Sequence, residues 1–106
     1  MREKVEINIE KIQKWVEEKR QFTFLDVRTD EERELVHIGG VHIPLDQLQH
    51  RFQELDPQVR PWIIYCHHGV RSLYAAQFLK LNGYDALSMS GGIDQWSTDI
   101  DPSVAR

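Results

Sequence analysis

The sequence predicts an α/β fold with a small, mainly parallel β-sheet that carries helices on both faces. Short apolar segments rich in β-branched and aromatic residues alternate with helical segments, and the connections between them are brief. Such alternation is typical of parallel sheets, because each crossover helix packs back onto one face of the sheet. The chain has 106 residues, a usual size for one domain. We therefore predict a single domain over residues 1–106.

The chain begins with a predicted amphipathic helix that extends to Arg20. Asn8 is a typical N-cap residue, and apolar side chains recur at helical spacing from Ile9 to Val16, while Glu and Lys fill the other face. Residues 22–27 are rich in aromatic and β-branched side chains, which favour a strand.

The middle of the chain predicts two short helices on either side of a short strand. Thr29 and Glu32 have the spacing of a capping box, which predicts that a helix begins there. After a Gly-Gly break, residues 41–43 form a strand candidate that a proline ends. Asp46 is predicted to cap a helix that extends to about Phe52.

The last part of the chain predicts a second strand–helix–strand unit. The apolar run 62–65 is typical of a short buried strand. Helical periodicity follows over 72–82, and Gly83 is a suitable C-terminal stop. Residues 86–89 predict a last strand, and a brief helix contains Trp96, after which no pattern is clear.

Composition and charge argue against several classes of protein. The net charge of −4 and the pI near 5.7 argue against a nucleic-acid partner, which usually meets a basic face. A single cysteine cannot form an internal disulfide. Residues 1–6 are charged, unlike a signal peptide, and no apolar run approaches the roughly 18 residues of a membrane span. We expect a cytoplasmic protein with no membrane partner.

Cys66 is the only cysteine, and it directly follows the predicted strand 62–65. Ligands of parallel sheets bind beyond the carboxyl ends of the strands, where Asp26 also lies. A strand-to-helix turn lets successive N–H groups face an anion, and Gly69 tolerates the positive φ of a tight turn. With Arg71 nearby, this setting favours a nucleophilic thiolate. The alternative is a buried structural cysteine.

Four segments, in the same order, resemble the motifs of the rhodanese family of sulfurtransferases. The loop from Cys66 through Gly69 and Arg71 to Ser72 resembles the family's active-site loop. The other segments are Leu-Asp-Val-Arg at 25–28, the residues at 37–44 and Gly-Gly-Ile-Asp-Gln-Trp at 91–96. Three positions away from the loop depart from the family's usual residues and bear on packing: Arg33, Val36 and Gly39.

The resemblance implies a two-step sulfur transfer through Cys66. The thiolate attacks the sulfane sulfur of a small anionic donor such as thiosulfate and becomes a persulfide. A thiophilic acceptor then removes this sulfur: cyanide, a small thiol or a protein thiol, including a partner in a protein sulfur relay. The N–H groups of residues 67–71 are expected to cradle the terminal sulfur. The resemblance implies neither a metal nor a cofactor.

The side chains of the loop have candidate roles in this reaction. Arg71 is expected to stabilise the thiolate and an anionic donor. His67 and His68 could bind the donor or move a proton, and the alternative is two solvated loop residues. Ser72 is expected to cap the helix or to hydrogen-bond the sulfur. The predicted substrate-binding residues of the loop are His67, His68, Gly69, Val70 and Ser72.

Two residues outside the loop are predicted to support it. Asp26 is expected to hydrogen-bond N–H groups of the loop or to pair with Arg71, and the alternative is an ordinary carboxylate at a strand end. Arg28 is expected to pair with Glu31 or Glu32 as a structural contact, and it could also help to draw in an anionic donor.

Two other functions stay open at this point. The first is a regulatory or docking domain that keeps the fold without turnover. The presence of Cys66 argues against it, because such a domain does not need the cysteine. The second is a cysteine phosphatase or an arsenate reductase, which use a similar loop. These enzymes resemble one another in having five residues between the cysteine and the arginine of the loop, whereas this sequence has four. A tetrahedral oxyanion needs a wider cradle than one sulfur atom, so the shorter loop favours sulfur transfer.

Overall fold

The computed structural model describes residues 5–104, which are built around a five-stranded sheet. The strands are β1 (Glu6–Ile7), β2 (Thr23–Asp26), β3 (Val41–His42), β4 (Trp62–Tyr65) and β5 (Ala86–Met89). The helices are α1 (Ile9–Glu17), α2 (Asp30–Leu35), α3 (Leu45–Arg51), α4 (Val70–Leu81) and α5 (Gly92–Asp99). A short 3-10 helix (Phe52–Glu54) follows α3.

The strands are all parallel and lie in the order β1-β5-β4-β2-β3. From β2 the chain moves outward to β3 and then returns across β2 to β4, so its direction across the sheet reverses between β2 and β4. Ligands of such sheets bind at this reversal, beyond the carboxyl ends of the strands. Asp26 and Tyr65, the last residues of β2 and β4, are partners in register. Cys66 therefore begins a loop at the reversal point.

Side chains of β4 alternate between two hydrophobic cores, one on each face of the sheet. Trp62 and Ile64 belong to the core that includes residues of α3 and α4, whereas Ile63 and Tyr65 belong to the core that includes residues of α1 and α5. All four side chains are buried. The predicted α/β class, with helices on both faces of a parallel sheet, is confirmed.

Local hydrogen bonds and a glycine turn, which the sequence predicts, determine where three of the helices begin. Asn8 caps α1, because its side-chain oxygen accepts a hydrogen bond of 2.9 Å from the N–H of Lys11. Thr29 and Glu32 form both halves of the predicted capping box at α2. Gly69 takes φ of 106° at the start of α4, a left-handed conformation that glycine adopts without steric cost. These caps fix α2 and α4 at the carboxyl edge of the sheet.

Several boundaries differ from the predicted ones. The prediction that Asp46 caps α3 is wrong: Pro44 precedes the helix, and Asp46 lies in its first turn, where a carboxylate is favourable. The fourth helix begins at Val70, two residues earlier than predicted. Strand β1 was not predicted, because two residues carry no recognisable alternation. Helix α1 ends at Glu17, before the predicted Arg20.

The segment after α5 returns to the core. Val104 is 9% exposed, and the Ser97 hydroxyl donates a hydrogen bond to its carbonyl oxygen. Residues 1–4 and 105–106 lie outside the described part of the chain, including most of the charged N-terminus noted in the sequence. Between residues 5 and 104, no helix is both long enough and apolar enough to cross a membrane.

Candidate active site

The Cys66 sulfur lies at the N-terminus of α4, where backbone donors surround it. The N–H of Gly69 donates to Sγ at 3.0 Å and the N–H of Ser72 donates to it at 3.4 Å. The residue is 1% exposed. Free N–H groups in the first turn of a helix favour a negative charge. These backbone donors are placed to stabilise a negative charge on the sulfur.

A buried pair of hydroxyls lies behind the sulfur. Ser72 Oγ is 3.4 Å from Cys66 Sγ and 2.8 Å from Ser88 Oγ. A hydroxyl can donate one hydrogen bond while it accepts another, so Ser88 can donate to Ser72 while Ser72 donates to a thiolate. The expected contact between Ser72 and the sulfur is present, whereas α4 is capped at Gly69. Ser88 is in β5, and nothing in the sequence identified it.

The N-terminus of α5 holds the outer side of the loop. The N–H groups of Ile93 and Asp94 donate to the carbonyl oxygens of Cys66 and His67 at 2.9 and 3.1 Å. A Cβ at Gly92 would lie 2.3 Å from the His67 oxygen, so only glycine allows this approach. The C=O and N–H of one trans peptide point in opposite directions. The N–H groups that follow these two carbonyls therefore face away from α5.

Arg71 forms a bidentate ion pair with Glu32. Its two terminal nitrogens donate to the two carboxylate oxygens at 2.8 and 2.9 Å. The hydrogen bonds from Arg71 are the largest cause that lowers the pKa of Glu32 to about 2, and the same pairing raises the pKa of Arg71. The prediction that Arg71 pairs with Asp26 is wrong. The sequence marked Glu32 only as a capping residue and as a candidate partner of Arg28.

Asp26 and Arg28 form a separate, buried pair. Nε and Nη2 of Arg28 each donate to the carboxylate at 2.9 Å, and the Arg28 N–H donates to it as well. Nη2 also donates to the Val36 carbonyl oxygen. The predicted pairing of Arg28 with Glu31 or Glu32 is wrong. Arg28 is 2% exposed, and its guanidinium is bound to Asp26 and to the Val36 carbonyl oxygen.

Arg33 is a further partner of Asp26 that the sequence did not assign. Its Nη1 lies 3.4 Å from the Asp26 carboxylate, and its terminal nitrogens donate to the carbonyl oxygens of Gly39 and Gly40. Arg33 is one of the three positions at which the sequence departs from the family's usual residues. The Asp26 carboxylate thus binds two arginines and supports this edge of the sheet. It does not make the expected contact with N–H groups of the loop.

The two histidines lie at the rim of the loop. Their ring centroids are 4.1 Å apart, and the rings are inclined at 70°. His68 is exposed, and its Nδ1 lies 3.7 Å from a carboxylate oxygen of Asp94. His67 is half-buried. Both residues line the cavity at Cys66, and the predicted roles in donor binding and proton transfer stay predictions.

The loop borders an open cavity of about 210 Å³. It is lined by Glu32, Cys66, His67, His68, Val70 and Arg71. Five of the predicted site residues therefore meet at one cavity, and Glu32 joins them. Asp26 and Arg28 do not line it. Among residues 5–104, no group of three or more His, Cys, Asp or Glu side chains is arranged to hold a metal ion.

The chain matches the family model of the Rhodanese-like domain over residues 8–99. It is 37% identical over 94 residues to the putative sulfur carrier protein YrkF of Bacillus subtilis (strain 168), and this match covers 87% of this chain and 50% of that protein. It is 31% identical over 90 residues to the thiosulfate sulfurtransferase GlpE of Coxiella burnetii, with 83% of each covered. The chain thus spans half the length of the first relative and most of the second.

A solved structure has the same fold over almost its full length. The rhodanese-related protein from Thermoplasma volcanium superposes with a TM-score of 0.84 at 27% sequence identity. The alignment covers 95% of this chain and 97% of that one. The order of strands and the loop after β4 therefore belong to a known architecture.

Proposed function

Because the chain belongs to the Rhodanese-like domain family, we propose that it is a sulfurtransferase in which Cys66 carries the transferred sulfur as a persulfide. The observation that supports this most strongly is the position of Cys66: the residue lines a small open cavity, and its Sγ receives hydrogen bonds from the N–H groups of Gly69 and Ser72. A thiolate held in this way is a nucleophile. The cavity offers space for a small donor next to this residue.

The first step takes a sulfane sulfur from a donor such as thiosulfate. The Cys66 thiolate attacks the outer sulfur, and a new S–S bond forms at Sγ. The S–S bond of thiosulfate breaks, and sulfite leaves with the bonding electron pair. The charge is the same before and after the step, so neither an oxidant nor a proton is required.

The second step returns the enzyme to its starting state. The acceptor, which is cyanide or the thiolate of a small molecule or protein, attacks the terminal sulfur of the persulfide. The S–S bond at Sγ breaks, and Cys66 keeps its electron pair as a thiolate. The donor product leaves before the acceptor reacts, so the kinetics are ping-pong.

The backbone of the loop stabilises the persulfide. The N–H groups of Gly69 and Ser72 hold Sγ, while those of His67 and His68 face away from α5 and are available to the terminal sulfur. Fixed N–H groups of this kind require no reorganisation when the charge moves onto the outer sulfur. Arg71, on the wall of the cavity, offsets the charge of Glu32 there, so that an anionic donor does not meet a bare carboxylate.

The acceptor includes protein thiols. Val70 and Tyr74 expose apolar surface beside the loop, with 66% and 67% of their surface accessible, which suits contact with a protein. One relative is named a putative sulfur carrier protein, which supports a place in a protein sulfur relay, although that relative is twice as long as the matched region. We place this activity in a single domain and in a reducing compartment, the cytoplasm.

Turnover tests the proposal directly. Wild-type protein should form thiocyanate from thiosulfate and cyanide, with the parallel initial-rate lines of a ping-pong mechanism. Cys66→Ser keeps the size of the side chain but lacks a competent nucleophile, so its rate should fall to that of the reaction without protein. Ser103→Ala, on the exposed C-terminal turn, serves as the control and should retain the wild-type rate. Equal turnover by Cys66→Ser and wild type would contradict the proposal.

A further inference from the structure

The ion pair between Arg71 and Glu32 places a carboxylate in the wall of a cavity that must accept a sulfur donor. Both terminal nitrogens of Arg71 are bound to the two oxygens of Glu32, so the end of the guanidinium is already occupied. The side chains of Glu32 and Arg71 are 29% and 34% exposed. An incoming anion therefore meets a neutralised arginine.

Glu32 is also held from the other side. Its Oε1 accepts hydrogen bonds from the N–H of Thr29 at 3.0 Å and from the Thr29 hydroxyl at 3.1 Å. Moving the carboxylate away from Arg71 would also break the capping box that starts α2. The carboxylate is thus a fixed part of the cavity wall, in contrast to a mobile surface side chain.

The charges that line the cavity are therefore unfavourable to a dianion. Glu32 and Arg71 cancel, and the attacking form of Cys66 adds one negative charge. Asp26, Arg28 and Arg33 neutralise one another in part but lie outside the cavity lining. Because Coulomb energy is proportional to charge, each unit of negative charge on the donor carries the same penalty.

We propose that Glu32 sets the donor class of the Cys66 site, by neutralising Arg71 and so favouring neutral or singly charged sulfane donors over small dianions. The inference rests on the proposed sulfurtransferase function and narrows its substrate class. Organic persulfides and thiosulfonates belong to the favoured class, and thiosulfate belongs to the disfavoured one. Glu32 acts here through Arg71, as a residue that determines specificity.

The test compares two donors that differ by one charge. Thiosulfate carries two negative charges and methanethiosulfonate carries one, and both deliver a sulfane sulfur, with sulfite or methanesulfinate as the leaving group. Glu32→Gln keeps an oxygen for the capping box and removes the charge. At low ionic strength, it should lower KM about tenfold for thiosulfate and about threefold for methanethiosulfonate, since one charge at a cavity wall corresponds to roughly a threefold effect. The kcat should change by less than about twofold.

The control is Glu34→Gln, which makes the same charge change at an exposed position of the same helix. It should alter neither KM by more than about 1.5-fold, because exposed charges are screened by solvent. A second measurement uses alkylation in place of turnover. The ratio of Cys66 alkylation rates with iodoacetate and iodoacetamide should rise about threefold in Glu32→Gln and remain constant in Glu34→Gln.

The possible results separate this inference from the function on which it rests. If wild-type protein takes up sulfur but Glu32→Gln shifts both donors by the same factor, raises KM for thiosulfate, or leaves the alkylation ratio unchanged, the role of Glu32 is overturned. If wild-type protein takes up no sulfur from either donor, the sulfurtransferase proposal fails, and the inference about the donor class fails with it.

Discussion

Two arginine–carboxylate pairs lie near the carboxyl edge of the sheet, and they differ in burial and in what surrounds them. In the first pair, the side chains of Arg28 and Asp26 are 3% and 0% exposed. In the second pair, the side chains of Arg71 and Glu32 are 34% and 29% exposed and line the cavity at Cys66. The geometry of the hydrogen bonds is similar, with two distances of 2.9 Å in the first pair and distances of 2.8 and 2.9 Å in the second.

The difference in burial assigns the two pairs to different tasks. Breaking a buried pair leaves an uncompensated charge in a medium of low polarity, so its main effect is on folding. A half-exposed pair contributes little to stability, because water screens the charges. Its arginine and carboxylate can instead act on molecules that enter the cavity. Stability and activity should therefore respond to the two pairs in opposite ways.

The largest effect on stability is expected from Asp26→Ala. The change leaves Arg28 and Arg33 without their shared carboxylate, and the free energy of unfolding should fall by about 3 to 5 kcal/mol. Urea unfolding followed by circular dichroism measures this. Glu54→Ala removes the exposed pair with Arg51 and is the control, with an unchanged unfolding midpoint. A midpoint for Asp26→Ala equal to that of the control would show that the buried pair is not structural.

Arg71→Ala should show the opposite pattern. The free energy of unfolding should change by no more than about 1 kcal/mol. The KM for thiosulfate should rise about tenfold or more, because Glu32 is left as a bare negative charge in the cavity, whereas the backbone donors at Sγ remain and limit the loss in kcat. Steady-state kinetics separate these two effects, with Arg51→Ala as an arginine control away from the loop. Unchanged kinetics would remove Arg71 from the site.

The smallest effect is the pH dependence of the exposed pair. The pKa of Glu32 is lowered from 4.5 to about 2, chiefly by the hydrogen bonds from Arg71. A lowered carboxyl pKa contributes stability above the unfolded value, and this contribution is lost as the pH falls through the folded value. The melting temperature of wild type should exceed that of Glu32→Gln by a few degrees at pH 6, and the gap should close between about pH 4.5 and 2. A gap that closes above pH 5 would contradict the pairing.

The sequence predicts the parts of this site that local chemistry determines. The strand before Cys66, the left-handed glycine at residue 69 and the capping box at Thr29 all follow from residue types at fixed spacing. The pairing of charges does not, because long side chains at the same edge of the sheet can reach several partners, and only the three-dimensional arrangement of the backbone decides between them. Both predicted arginine pairings were wrong for this reason.

Other parts of the site depend on contacts between distant segments. The hydroxyl of Ser88 in β5 is hydrogen-bonded to that of Ser72 in α4. A serine in a short strand has no sequence pattern that would reveal this contact. The Gly-Gly motif at 91–92 was recognised as a motif, but its close approach to the carbonyl oxygens of the loop is visible only in three dimensions.

Intact-mass spectrometry tests the central claim, that Cys66 carries the sulfur. Samples of the protein are incubated with thiosulfate or with methanethiosulfonate, separated from the donor and then treated with cyanide, alongside Cys66→Ala. The account predicts that wild type gains the mass of one sulfur atom, that cyanide removes it, and that the variant gains none. A wild-type protein that gains no sulfur, or a variant that gains as much, would contradict it.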